Sequence, residues 1–202
     1  MRIVCLDLEG VLIPEIWINF ALKTGIEELK LTTRDVPDYD VLMRGRLKIL
    51  KERGLTLHDI RQVIGSLSPL DGACAFLDRL RSRTQVVILS DTFTEFAQPL
   101  MEKLAWPTIF CNSLVVDDRG MIVDYRLRQQ DGKYKAVKAL QGIGFTVFAA
   151  GDSYNDLTMI KAADQGALFR APQRIIEEEP QLPHTTDYEE FETIIDEFLA
   201  KG

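Results

Sequence analysis

Two carboxylates lie two residues apart near the start of the chain, where the apolar segment Ile3–Leu6 runs into Asp7 and Glu9 and then reaches Gly10. On an extended strand, residues two apart point to the same side. Two like charges at the end of a buried strand are costly unless a cation or a proton lies between them. The pair therefore suits a divalent metal, a nucleophilic carboxylate and a general acid/base. An acidic turn in which Gly10 supplies a positive φ explains the same residues and stays open.

A second polar site follows the apolar segment Gln85–Leu89, where Ser90 and Asp91 come next. A serine hydroxyl at a strand end can donate a hydrogen bond to a phosphoryl oxygen. It can also cap the helix that follows, and from this residue alone capping is the simpler interpretation.

A lysine opens the next predicted helix, in the sequence Asp131-Gly132-Lys133. The helix dipole opposes a cation in the first turn. The position of Lys133 therefore calls for an anionic partner, whereas we interpret the neighbouring Lys135 and Lys138 as surface charges.

A further apolar segment, Phe145–Ala149, leads to Gly151, Asp152 and Asp156. A capping role explains Asp156 but not Gly151 and Asp152. Oxygen ligands without a nearby histidine or cysteine suit Mg²⁺. Acids from two strand ends, together with a serine and a lysine, are the groups that phosphoryl transfer through an aspartyl-phosphate requires.

The elements that must position these residues alternate between short apolar segments and amphipathic helical patterns. This order predicts an α/β fold with a doubly wound, mostly parallel sheet of Rossmann type, which binds its ligands at the carboxyl ends of the strands. The predicted strands are Ile3–Leu6, Gln85–Leu89, Thr108–Cys111, Phe145–Ala149 and Ala167–Phe169.

The alternation stops between residues 14 and 69, where only helical patterns occur. We expect residues 14–69 to form a helical cap over a core domain of residues 1–13 and 70–202. A β-hairpin flap is predicted over Val115–Tyr125, around the turn residues Asp117-Asp118-Arg119-Gly120.

The composition is that of a soluble globular protein, with 202 residues, 46% of them hydrophobic, and a net charge of −7. Nucleic-acid binding needs a basic field, so the charge argues against that class of partner. The chain shows no signal-peptide pattern and no apolar segment of membrane length, and its three cysteines fit no metal-ligand spacing. We therefore expect a cytoplasmic protein that acts on a small molecule and contacts no membrane. The sequence does not predict the oligomeric state.

Taken together, the four sites resemble the ordered motifs of the haloacid-dehalogenase superfamily. The likeness spans residues 3 to about 160, and the helical insert resembles the cap of the phosphoserine phosphatase branch. The motif residues are Asp7-x-Glu9-Gly10-Val11, Ser90, Lys133 and Gly151-Asp152-x-x-Asn155-Asp156.

The resemblance implies catalytic roles for Asp7, Glu9 and Lys133. Asp7 would be the nucleophile, and Glu9 would protonate the leaving serine oxygen and later activate the acceptor. Lys133 would also bind the phosphoryl group, together with Ser90 and Asn155.

The same resemblance implies Mg²⁺ as the cofactor. Its ligands would be Asp7, the backbone carbonyl of Glu9, and Asp152. Asp156 would act through water or on Lys133.

Two residues of the insert extend the resemblance to the substrate. Glu15 would face the ammonium group of phosphoserine, and Arg46 would bind its carboxylate, a task for which guanidinium geometry is suited. A first-turn acid and a solvated helix charge are the plain interpretations of the same two residues. The resemblance places the reaction in serine and threonine biosynthesis.

The chain departs from the branch at two points. Glu9 stands where aspartate is usual, and Asp91-Thr92 stand where glycines are common. Catalysis is sensitive to a misplacement of about 1 Å, so we hypothesise that an alcohol such as homoserine competes with water for the aspartyl-phosphate, as in branch members that phosphorylate homoserine. Asp91 would then help to hold an amino group.

Two alternatives remain. A related phosphatase could act on another small phosphate ester. An aspartate phosphoacceptor domain uses similar residues, but its phosphorylated aspartate follows a middle strand, where this chain has Ser90.

Overall fold

The computed structural model describes residues 1–33, 35–36 and 38–201. Within them, a seven-stranded sheet has the order β4-β3-β2-β1-β5-β6-β7. All neighbouring strands are parallel except β3 and β4, which are antiparallel. The strands are β1 Arg2–Leu6, β2 Gln85–Phe93, β3 Thr108–Val116, β4 Ile122–Arg126, β5 Thr146–Gly151, β6 Gln165–Phe169 and β7 His184–Thr185. The predicted doubly wound α/β fold is confirmed.

Helices cover both faces of this sheet and fill the interval between β1 and β2. Their bounds are α1 Ile16–Thr24, α2 Tyr39–Arg53, α3 Leu57–Gly65, α4 Ala73–Arg81, α5 Thr94–Met101, α6 Gly132–Gly142, α7 Leu157–Ala162, α8 Gln173–Glu178 and α9 Tyr188–Ala200. Two 3₁₀ turns within the described ranges span Glu27–Lys30 and Tyr154–Asp156. None of the helices in the described ranges has the length and apolar character needed to span a bilayer.

The central strands are buried on both faces because helices pack on each side. Val4 and Leu6 of β1 belong to a large core that also contains the rings of α9, whereas Ile3 and Cys5 belong to a smaller core beneath α6 and α7. Alternate side chains of β1 thus belong to two different hydrophobic cores, and this alternation fixes the register of β1 between β2 and β5.

In the helical insert between β1 and β2, the helix boundaries follow local sequence signals. α1 and α2 end at Gly25 and Gly54, both in the left-handed region with φ of 69° and 65°. Thr56 and Asp59 form a reciprocal capping box at the start of α3. Because these stops are local, they could be identified from the sequence.

The insert also contacts the β3–β4 hairpin. The Arg44 guanidinium donates to the Asp124 carboxylate at 2.7 Å, and the Tyr125 hydroxyl donates to Asp40 at 2.5 Å. These contacts connect α2 to β4 at the edge of the sheet.

The hairpin is built differently from the expected flap. The predicted strand Thr108–Cys111 and the first arm of the hairpin form one continuous strand, β3, whose second half pairs with β4. Polar Asn112 and Ser113 break the apolar pattern at the point where pairing changes from parallel to antiparallel. The short elements α7, α8 and β7 were not predicted, because segments of six residues or fewer carry little periodicity.

The sheet order brings three strand ends together. β1 lies between β2 and β5 and hydrogen-bonds to both. From β1 the chain winds first toward β3 and later, after β5, in the opposite direction, so the switch point lies at β1 and β5. Ligands of open α/β sheets bind at such a point.

Candidate active site

Asp7 lies immediately beyond β1, at this switch point. Its backbone N–H donates to the Ala150 carbonyl at 2.9 Å, which fixes the residue against the end of β5. The side chain is buried. Desolvation, and next the charge of Asp156, raise the pKa of Asp7 well above its usual value, while Lys133 opposes that rise.

Lys133 is the cation of this region and is 5% exposed in the first turn of α6. Its Nζ lies 2.7 Å from Asp156, 3.0 Å from Asp7 and 3.6 Å from Asp91. Burial works against its charge, but the carboxylates of Asp156 and Asp7 outweigh burial and raise the pKa of Lys133. The anionic partner that the sequence predicted for Lys133 is therefore the group of acids Asp156, Asp7 and Asp91.

Three carboxylates converge beside Lys133. Asp7, Asp152 and Asp156 each offer an oxygen within 4.8 Å of the others. Burial, and next Asp156, raise the pKa of Asp152 to about 7. Such an excess of acids over cations fits a hard divalent ion with oxygen ligands, so this donor set is suited to hold a metal.

Two glycines permit this convergence. A Cβ on Gly10, whose φ is 75°, would lie 2.5 Å from Cγ of Asp152, and one on Gly151 would lie 2.2 Å from Cγ of Asp156. Any side chain at either position would displace a carboxylate of the triad. The acids are therefore packed directly on backbone that only glycine can provide.

Asp156 is committed to structural contacts. One carboxylate oxygen accepts from Lys133, and the other accepts from the backbone N–H groups of Asp152 and Ser153, both at 3.1 Å. These bonds fix the loop after β5, so Asp156 orients Asp152 and Lys133.

Hydrogen-bond donors also line the cavity that Asp7 faces. The Ser90 hydroxyl oxygen is buried and accepts from the Thr92 N–H at 3.2 Å. A hydroxyl that accepts in this way keeps its hydrogen for a further acceptor. The Asn155 amide donates to the Asp91 carboxylate at 2.7 Å.

Glu9 points away from the triad, toward the helical insert. Its carboxylate accepts from the N–H of Ile16 at 2.8 Å, at the first residue of α1. Burial, and next the nearby Glu15, raise the pKa of Glu9 to about 8. A two-residue spacing does not hold Asp7 and Glu9 side by side here, because β1 has already ended at Leu6.

Arg46 is buried on α2 with its guanidinium carbon 4.5 Å from the centre of the Trp17 ring. Its Nη2 donates to the Leu31 carbonyl at 2.7 Å, and its buried Nε has no hydrogen-bond partner among the described residues. Burial lowers the pKa of Arg46 to about 10. A buried cation with an unused donor indicates a site for an anionic ligand.

A cavity of about 170 Å³ connects these groups. Asp156 does not line it, whereas nine of the other residues singled out from the sequence do: Asp7, Glu9, Glu15, Arg46, Ser90, Asp91, Lys133, Asp152 and Asn155. The cavity is smaller than most drug-sized pockets, which suits a compact metabolite. The roles assigned to the individual residues stay predictions.

Trp17 and Tyr39 are among the lining residues that the sequence did not single out. Trp17 stacks on Arg46, and Tyr39 donates its hydroxyl to the Asp91 carbonyl at 3.4 Å. Both occur in apolar helical patterns that a core position explains equally well. No local signal distinguished them from ordinary core residues.

Known sequences that resemble this chain include a hydrolase family and two phosphoserine phosphatases. Residues 1–164 match the profile of the haloacid dehalogenase-like hydrolases. The chain is 58% identical over 190 residues to phosphoserine phosphatase ThrH of Pseudomonas aeruginosa, covering 94% of this chain and 93% of that one. It is also 58% identical over 189 residues to a phosphoserine phosphatase of Pseudomonas syringae pv. tomato, covering 93% and 80% of the two chains.

Solved structures share the fold. A substrate-bound phosphoserine phosphatase complex superposes with a TM-score of 0.76 at 22% identity, over 96% of this chain and 97% of that one. A phospho-aspartyl intermediate analogue of phosphoserine phosphatase gives 0.71 at 24% identity, over 88% and 90%. At these identities the likeness concerns the architecture.

Proposed function

Since this chain belongs to the haloacid dehalogenase-like hydrolase family, we propose that it hydrolyses O-phospho-L-serine to L-serine through an aspartyl-phosphate on Asp7. One observation carries the substrate assignment. The cavity that holds Asp7 and Lys133 also holds Arg46, a buried cation that forms no ion pair with a carboxylate of the described residues and has an unused Nε donor. A ligand with an anion at each end, as phosphoserine has, satisfies both sites.

The first step is transfer of the phosphoryl group to Asp7. A carboxylate oxygen of Asp7 forms the new bond to phosphorus while the bond to the serine oxygen breaks. Lys133, 3.0 Å away, favours the ionised nucleophile despite its burial. Glu9, whose pKa of about 8 leaves it protonated near neutral pH, gives its proton to the departing oxygen.

The second step returns the enzyme to its starting state. Glu9, now ionised, takes a proton from water as the water oxygen attacks phosphorus, and the bond to Asp7 breaks. We assign Ser90, Lys133 and Asn155 to the phosphoryl oxygens, and Arg46 and Glu15 to the carboxylate and ammonium groups of the substrate.

We propose Mg²⁺ as the metal, held by Asp7, Asp152 and the backbone carbonyl of Glu9. The donor set supports this choice because it contains only oxygen ligands. When bound, the ion would neutralise phosphoryl charge next to the nucleophile.

We also propose that homoserine serves as a second acceptor. Glu9 is one methylene longer than aspartate, and its carboxylate is held by the N-terminus of α1, so the attacking water is less well aligned. The test measures how labelled phosphate from phosphoserine partitions between water and homoserine in the wild type and in Glu9→Asp. An unchanged ratio would show that the length of Glu9 is irrelevant to acceptor choice.

On the same resemblance we propose a cytoplasmic enzyme of serine and threonine biosynthesis. We further propose that residues 14–69 act as a cap on a core of residues 1–13 and 70–202. The cap supplies Glu15 and Arg46, and the core supplies the phosphoryl-transfer residues.

The deciding experiment measures Mg²⁺-dependent phosphate release from a panel of phosphorylated metabolites, with Asp7→Asn as the inactive control. We expect phosphoserine to be hydrolysed with the highest kcat/KM. If other esters are turned over and phosphoserine is not, the substrate assignment is wrong while the aspartyl-phosphate chemistry stands.

A further inference from the structure

Asp91 contacts the two groups that would otherwise face a phosphoryl oxygen. Its carboxylate accepts from the Asn155 amide at 2.7 Å and lies 3.6 Å from Nζ of Lys133. We propose that the Asp91 carboxylate occupies part of the phosphoryl subsite in the ligand-free protein, yields it to the entering phosphate and returns when phosphate leaves. This inference rests on the proposed function, which assigns Lys133 and Asn155 to the phosphoryl group.

Among the acids around Lys133, Asp91 is the one that can leave. The side chains of Asp7 and Asp156 are 7% and 0% exposed, whereas that of Asp91 is 45% exposed. Its distance to Nζ is also the longest of the three. A half-exposed carboxylate can turn into solvent without desolvation cost, and a buried one cannot.

The backbone of Asp91 is fixed while its side chain turns. The Asp91 carbonyl accepts from the Asn112 amide at 3.0 Å and from the Tyr39 hydroxyl at 3.4 Å. One donor belongs to β3 and the other to α2, so the main chain is held from the core and from the insert. Exchange therefore needs only rotation about the side-chain bonds.

The negative charge of Asp91 determines how the exchange affects phosphate binding. Lys133 is already paired with Asp7 and Asp156, and Asp91 adds another negative charge at the same cation. A phosphate dianion must compete with that charge for Lys133 and for the Asn155 amide. The presence of Asp91 therefore weakens the binding of inorganic phosphate, the product that must leave before the next turnover.

The test compares the affinity for inorganic phosphate in the wild type, Asp91→Asn and Asp91→Ala. Calorimetric titration of phosphate into the Mg²⁺-loaded protein gives Kd, and inhibition of p-nitrophenyl phosphate hydrolysis gives Ki. We expect both variants to bind phosphate about tenfold more tightly, because each removes a like charge from the subsite. Asp118→Asn, the same substitution in the exposed hairpin turn, serves as the control and should leave both constants unchanged.

An unchanged or weakened phosphate affinity in Asp91→Asn would overturn the inference. So would a higher KM for phosphoserine with no change in phosphate affinity, which would instead make Asp91 a partner of the substrate ammonium group. Because the titration uses phosphate alone, it decides the inference even if phosphoserine is not the substrate.

Discussion

The cavity joins two groups of charged residues whose buried cations differ in how they are paired. The core cluster consists of Asp7, Asp152, Asp156 and Lys133, where one cation meets several acids and pairs with two of them at 3.0 Å or less. The insert-facing cluster consists of Glu9, Glu15 and Arg46. There the cation pairs with no carboxylate of the described chain and stacks instead on an aromatic ring.

The contrast shows what each cluster lacks. The core cluster has too much negative charge for one lysine, and is therefore suited to bind a divalent cation and with it a phosphate. The insert-facing cluster keeps a cation and an unused N–H donor, and is therefore suited to bind a carboxylate. Phosphoserine carries one group for each cluster, so under the proposed roles the two clusters would together set the orientation of the substrate.

The largest expected effect comes from removing the cation of the core cluster. Lys133→Met should lower kcat/KM at least about 10³-fold, because phosphoryl charge loses a buried donor. Without metal it should also lower the free energy of unfolding by about 3 kcal/mol, since acids remain buried without their partner. Mg²⁺ should restore part of that stability in a denaturant titration. Lys135→Met, an exposed position in the same helix, should do neither.

Removing the cation of the insert-facing cluster should separate binding from chemistry. Arg46→Ala should raise the KM for phosphoserine about 100-fold, because a buried charge pair with the substrate carboxylate is lost. Steady-state kinetics with p-nitrophenyl phosphate, which has no carboxylate, should change less than about threefold. Equal losses for both substrates would show that Arg46 serves the structure of the cavity and not substrate recognition.

Glu9 should make stability depend on pH. Its pKa rises from 4.5 in the unfolded chain to about 8 in the fold, so the folded state holds a proton that the unfolded state has released. Stability is therefore lost as pH rises between about 4.5 and 8. Since part of Glu9 stays exposed, we expect the wild type to lose about 2 kcal/mol relative to Glu9→Gln across this range.

Denaturant unfolding in the presence of a chelator measures this difference. The subtraction of Glu9→Gln removes the contributions of Asp7 and Asp152, which both proteins share. Glu102→Gln, at an exposed position, is expected to follow the wild type. Parallel pH profiles for wild type and Glu9→Gln would contradict the raised pKa.

The smallest effect is expected outside both clusters. Arg44 lies two residues from Arg46 but is exposed, and it pairs with Asp124 of the hairpin at 2.7 Å. Exposed pairs contribute little. Arg44→Ala should change the KM for phosphoserine less than about threefold in the assay that detects the loss of Arg46. A large change would mean that contact between α2 and the hairpin controls entry to the cavity.

The sequence identified the core cluster better than the insert-facing cluster for a physical reason. Asp7, Ser90 and Asp152 each follow an apolar segment, and parallel strands must place their carboxyl ends at one edge. Sequence order therefore predicted their proximity. Lys133 was found because the helix dipole made its position anomalous.

The features that the sequence did not predict depend on contacts between distant segments. Trp17 stacks on Arg46 although the two residues lie on different helices and 29 positions apart in the sequence. Neither residue has a local feature that predicts this contact. The direction of Glu9 was also unpredictable, because the pleat that sets side-chain direction ends at Leu6. The continuity of β3 was hidden by Asn112, which interrupts the apolar pattern inside the strand.

The position of Trp17 gives the protein an optical probe of its own binding site. The chain has two tryptophans. Trp17 lies in the cavity beneath Arg46, whereas Trp106 is 63% exposed. In Trp106→Phe, the remaining indole emission therefore reports the state of the guanidinium above it. If Arg46 binds the substrate carboxylate as proposed, stopped-flow fluorescence of that variant should follow its arrival separately from the chemistry proposed for Asp7.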